Sequence, residues 1–134
     1  MLCTGPVTTE DQDHAADLDR ARAVVNAAGA ARLERRPWQA ERQPAADGDL
    51  VRFVAWCCRG PAPTDPAVLE AGLRLLASAR AELDQVEAGL LFAARAAGMT
   101  WPQIADALDL GSAQAAQQRR NRVLARMSGP ETDA

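Results

Sequence analysis

The sequence predicts an all-α protein: a helical bundle with a long heptad-patterned helix and a C-terminal helix-turn-helix. Three observations carry this. Of the 134 residues 48% are apolar but only 4% aromatic, and much of the apolar share is alanine, which suits a thin, closely packed helical core. Apolar residues recur at helical spacing in separate stretches, along 18–28, 50–57 and 69–97. Thr100 and Ser112, twelve residues apart, are both good N-caps, because a hydroxyl accepts from the free amides of a first turn.

Residues 1–8 read as a disordered N-terminus, and 9–60 as an N-terminal helical region. A first helix is expected from Thr8 or Thr9, with Glu10, Asp11 and Asp13 near its positive end. Leu18, Ala21, Val25 and Ala28 give it an apolar stripe. It extends to about Arg35 and stops before Pro37, with Gly29 as a weak point inside it. Residues 37–48 form a loop. A second helix covers about Asp49 to Arg59, where Leu50, Phe53, Val54 and Cys57 stand at i, i+3, i+4 and i+7. Gly60 and Pro61 end it.

Thr64 then caps a long helix with Pro66 in its first turn, and nothing breaks the pattern until Gly98. Leu69, Leu76, Leu83, Leu90 and Ala97 recur every seven residues, with Gly72, Ala79, Val86 and Ala93 between them. This is a heptad seam. It serves a homodimer through Leu69, Leu76, Leu83, Val86 and Leu90, or covers the stripes of the first two helices within one chain; one helix has room for both. Half of the seam is alanine and glycine, so whatever packs there comes close. Gly89 is a place for a bend or a break.

Residues 64–127 are thus assigned to a long helix plus helix-turn-helix DNA-binding domain, and 128–134 to an acidic flexible tail. The helix from Trp101 to Leu108 is too short to stand without neighbours. Ile104, Ala105 and Leu108 face inward, and Ala105 is small where two helices cross. Trp101 is a lid on this small core, or an indole N–H donor to a phosphate. The helix after Ser112 carries Gln114, Gln117, Gln118, Arg119, Arg120, Asn121, Arg122 and Arg126 and no acid. With Ala116 inward, Val123 and Met127 fall beside it and Leu124 at the flank, while Gln114, Gln118, Asn121 and Arg122 fall opposite. Gln117 sits on one border, and Arg119 and Arg120 lie nearer the buried side. Amides match adenine N6 and N7, and guanidinium matches guanine O6 and N7. Gln114 and Gln118 are therefore expected at bases, Asn121 and Arg122 at sugar-phosphate, and Arg119, Arg120 and Arg126 at phosphates around the edge.

The net charge is −3, and all fifteen basic residues are arginine. Residues 1–94 hold ten arginines against fourteen acids, a net of −4, whereas 95–127 hold five against two, a net of +3. The positive field gathers at the motif, and a local patch matters more to DNA than the global sum. Cys3, Cys57 and Cys58 make no disulfide framework, and with His14 alone among histidines no zinc spacing exists. Cys57 lies on the apolar stripe as a small core residue and Cys58 points outward. No nucleophile has a histidine near it and no glycine-rich phosphate loop occurs, so an enzyme is not expected, nor a metal or cofactor. No apolar run spans a membrane. A reduced cytoplasmic, nucleoid-associated location fits. Glu82, Asp84 and Glu87 form an acidic patch on the long helix, a solvent face or a surface for a basic partner.

The run Gly98-Met-Thr-Trp-Pro-Gln-Ile-Ala-Asp-Ala-Leu, followed by Gly111-Ser-Ala-Gln-Ala-Ala-Gln-Gln-Arg, resembles small helix-turn-helix DNA-binding proteins of actinobacteria. It is also similar to the helix-turn-helix of sigma-factor region four. The resemblance extends from the end of the long helix to Arg126. It implies a sequence-selective DNA-binding transcriptional regulator, with Ser112, Gln114 and Arg119 at matching positions. Two departures stand out. Asp109 replaces the turn glycine, with Gly111 two residues on, and Asp tolerates a left-handed backbone better than most residues. Ala113 stands where relatives carry a longer polar side chain. The alternative expectation is a protein-interaction module whose helix-turn-helix does not bind DNA and whose acidic long helix meets a sigma factor or another regulator.

Overall fold

The computed structural model describes residues 5–129, so residues 1–4 of the expected disordered N-terminus and 130–134 of the expected acidic tail lie outside it. The protein is all-α. The described residues form α1 (Thr9–Ala27), α2 (Asp47–Cys57), α3 (Pro66–Ala96), α4 (Trp101–Ala107) and α5 (Ala113–Met127), with a 3-10 turn at Ala30–Arg32. Among them no helix is long and apolar enough to cross a membrane. The chain groups into two compact units, one up to Ala79 and one from Arg80, so the division falls inside α3. The first half of this helix contributes Val68, Ala71 and Leu75 to the core of the first unit.

In the first unit, Thr8 and Asp11 close a capping box. The Thr8 hydroxyl accepts from the Asp11 amide at 3.1 Å, and the Asp11 carboxylate accepts from the Thr8 amide at 3.2 Å and hydroxyl at 2.7 Å. The hydroxyl bond, then the amide bond, holds the Asp11 carboxyl below its usual value. α1 stops at Ala27 rather than near Arg35, and Ala28 is exposed. The reason is Gly29, whose φ of +135° no side-chain-bearing residue adopts easily. The ring of Phe53 lies against it, 3.1 Å from where a Cβ would stand.

The core of this unit gathers Ala21, Val25, Ala30, Leu50, Val54, Val68, Ala71 and Leu75. Cys57 is half-buried and Cys58 exposed. α3 is capped by Asp65, whose Oδ1 accepts from the Ala67 amide at 2.9 Å, and not by the expected Thr64. Its inward residues are Val68, Ala71, Gly72 and Leu75. That face lies one position before the expected Leu69–Leu76 register, and Leu69 is exposed. Gly72 belongs to both, and Val54 packs on it so closely that a Cβ there would stand 2.9 Å from Val54 Cγ1. Asp47, buried at the start of α2, binds Arg22 through two bonds of 2.8 Å and accepts from the Ser78 hydroxyl at 2.5 Å.

In the second unit α3 passes Gly89 without a break. It ends on Gly98 at φ +88°, where the Met99 amide donates to the Ala94 carbonyl at 3.0 Å and the Gly98 amide to the Arg95 carbonyl at 3.0 Å. α4 starts with a second capping box, Thr100 with Gln103, and Pro102 sits in its first turn. It closes as α3 does, with Asp109 at φ +56° in the glycine's place: the Leu110 amide donates to the Ala105 carbonyl at 2.8 Å. The turn survives the departure. Ser112 then caps α5, its hydroxyl accepting from the Ala115 amide at 3.1 Å. Leu91, Ile104, Ala105 and Ala116 form the core, with Ala94, Met99, Trp101, Leu108 and Leu110 at its margin. Val123 is fully buried, but Met127, expected beside it, is 45% exposed.

Candidate nucleic-acid interface

Burial of Ala116 and Val123 fixes the rotation of α5 and therefore what it shows to solvent. Gln114, Gln117, Gln118, Asn121 and Arg122 are all exposed, as the sequence spacing requires. Ser112 is exposed too, but its oxygen is already engaged as the helix cap. α5 contains no acidic residue, so its outward surface offers amide donors and acceptors plus a guanidinium, with no carboxylate of its own to repel a phosphate. Asp109 is exposed in the turn before it. Among the described residues Arg122 has no ion-pair partner.

The other arginines of α5 are not equivalent. Arg119 and Arg126 face α3 and pair with its acids. Arg119 Nε lies 2.5 Å from Glu87 Oε1, and Arg126 grips Asp84 with Nε at 3.1 Å and Nη2 at 3.0 Å. Glu87 and Asp84 are mostly covered, with side chains 18% and 22% exposed. The hydrogen bond to Asp84, then its charge, raises the Arg126 guanidinium above its usual value. The expected acidic solvent face is therefore corrected: Asp84 and Glu87 hold the chain's own α5. The reach of Arg119 and Arg126 around the helix ends at these carboxylates.

Arg120 lies over an aromatic ring instead, its guanidinium carbon 4.9 Å from the centroid of Trp101. Arg95, from the last turn of α3, stands over the same ring at 5.3 Å and donates through Nη1 to the Met99 carbonyl at 2.8 Å. Trp101 is half-buried at the margin of the core, which agrees with its role as a lid. Sequence reasoning did not single out Arg95. The signal available was its place three residues before the turn glycine Gly98.

The same unit also shows an apolar surface. Leu83, Val86 and Leu90 of the expected seam are 65%, 55% and 66% exposed. They border a groove of about 610 Å³ whose wall includes Leu91, Ala94, Ile104 and Leu108, with Arg119 and Arg126 at its polar side. The seam and the intramolecular core have thus separated: the core takes Leu91 and leaves Leu83, Val86 and Leu90 outside it. A scan of protein-family models, a search of curated proteins and a search of solved structures each return no match to this chain.

Proposed function

We propose that the protein is a sequence-selective DNA-binding regulator that lays α5 in the major groove. The observation that carries this reading is the shared exposed face of Gln114, Gln118, Asn121 and Arg122 on a helix without acids. Gln114 and Gln118 read base edges; Asn121 and Arg122 hold the adjoining backbone. Ser112 and Gln117 border that face. One such helix makes a small contact, and two copies bound to half-sites give the useful affinity. The exposed row of Leu83, Val86 and Leu90 is the surface offered for that dimer. A cytoplasmic, nucleoid-associated place follows from this activity, and no catalytic role is assigned.

The test is an anisotropy titration of the full chain against random and selected duplexes across a salt series. Wild type is expected to bind saturably and to prefer some sequences. Gln114→Ala with Gln118→Ala is expected to flatten that preference, by about 1–3 kcal/mol at each base lost, with an unchanged salt slope. Absence of saturable duplex binding by the wild type contradicts the proposal.

A second reading has its own observation. Glu87 and Asp84 neutralise two of α5's four arginines, and an apolar groove lies beside them. Both suit a module that binds another protein, such as a sigma factor or regulator. Co-purification of a partner that survives nuclease and is lost with Leu90→Glu supports that reading over the first.

A further inference from the structure

We propose that Arg95, Trp101 and Arg120 form a phosphate-binding platform, in which two guanidiniums held over one indole take the non-bridging oxygens of a nucleic-acid phosphodiester. The inference rests on the DNA reading and adds to it a site on three helices rather than one. Arg95 comes from the last turn of α3, Trp101 opens α4, and Arg120 lies in the second turn of α5.

Charge carries the first part of the argument. Both guanidiniums lie within 5.3 Å of one ring centroid. Among the described residues neither forms an ion pair, while Arg119 and Arg126 on the same helix as Arg120 both do. Two like charges over one ring, neither paired with a carboxylate among the described residues, raise the local potential, and an anion relieves it.

Donor count carries the second part. A guanidinium has five N–H groups. Arg95 places Nη1 on the Met99 carbonyl, and Arg120 makes only long bonds of 3.4 and 3.3 Å to Asn121 Oδ1. The remaining N–H groups are available for a planar, two-pronged grip on a phosphate. Contact with the indole restricts each side chain, so less rotamer freedom is lost when the anion arrives. Arg120 precedes Asn121, which lies on the exposed face of α5.

The experiment uses the full chain with a short duplex and, separately, with inorganic pyrophosphate. The Trp101 indole N–H and the Nε–H resonances of Arg95 and Arg120 are followed by NMR, and duplex affinity is measured across salt for Arg95→Gln, Arg120→Gln and a charge control in the first unit, Arg59→Gln. Expected are saturable shifts of all three resonances with duplex. Each platform variant is expected to bind about tenfold more weakly, equally for all sequences, with a salt slope lower by about one. Arg59→Gln is expected to keep the wild-type slope. If wild type binds duplex but the three resonances stay still, or both platform variants keep its affinity and slope, the platform is overturned and the DNA reading stands. If wild type binds no duplex, the DNA reading fails. The platform is then judged by pyrophosphate: saturable shifts of the three resonances support it as an anion site, and their absence overturns it.

Discussion

Arg126 of α5 and Asp84 of α3, forty-two residues apart, are joined by two parallel hydrogen bonds of 3.1 and 3.0 Å. With Arg119, about two turns earlier on α5, and Glu87, just under one turn later on α3, they fasten the outward-facing helix to the long one. The same bonds withdraw two cations from anything outside the molecule. Asp84→Asn combined with Glu87→Gln is therefore expected to tighten duplex binding and steepen its salt slope by about one to two, as the released arginines reach phosphates. Filter binding across a salt series checks this. An unchanged slope places both arginines away from the duplex.

Asp47 sits buried in the first unit, bound to Arg22 and Ser78. The Arg22 bonds, and then the Ser78 hydroxyl, hold its carboxyl below the usual value against the opposing effect of burial. A lowered folded-state pKa means that the contribution is complete above the unfolded value near 3.9 and is lost as pH falls through the lower, folded one. Asp47→Ala is expected to cost about 2–3 kcal/mol at pH 7, since it leaves the Arg22 guanidinium without its partner. The gap between wild type and variant is expected to narrow steadily below about pH 4. Urea unfolding at a series of pH values measures both.

Two glycines of α3 make opposite demands. A Cβ on Gly72 meets Val54 at 2.9 Å, whereas nothing lies within 4 Å of one on Gly89. Gly89→Ala is expected to stabilise by about 0.5–1 kcal/mol through helix propensity alone. Gly72→Ala gains the same propensity but must push Val54 out of a packed core, and a net loss of about 1–2 kcal/mol is expected. Thermal unfolding of the two variants checks the contrast in sign.

The exposed row of Leu83, Val86 and Leu90 is the surface proposed for a second copy. Leu90→Glu removes about 2 kcal/mol of leucine burial from each side of a twofold contact, about 4 kcal/mol in all, so dimerisation is expected to weaken on the order of 1,000-fold. Sedimentation equilibrium is the measurement. A wild type that remains monomeric at high micromolar concentration removes the dimer from the proposal.

Much of this fold was legible because its signals are local. The hydroxyls of Thr8, Thr100 and Ser112 cap the helices they precede, and the buried pair Ala116 and Val123 follows from spacing along α5. The exposed amide face follows from the same rotation. What was not legible is set by distant parts of the chain. The stop of α1 at Ala27 depends on Phe53 lying over Gly29, and the inward register of α3 depends on Val54 meeting Gly72. Both choices are made by tertiary packing, and periodicity alone does not distinguish adjacent registers. The pairing of Arg119 and Arg126 with Glu87 and Asp84 spans 32 and 42 residues, so composition showed an acidic patch and a basic helix without showing that they cancel. Arg95 was missed for a different reason: its partner, the Trp101 ring that Arg120 also covers, is near in sequence but lies across the turn at Gly98, where helical spacing does not carry over.

The most direct measurement is an amide chemical-shift map of the isotope-labelled full chain titrated with duplex DNA. Saturable shifts are expected along Gln114, Gln117, Gln118, Asn121 and Arg122, with the first unit unaffected. Shifts confined to Leu83, Val86 and Leu90, or none at all, contradict the assignment of α5 as the DNA-contacting helix.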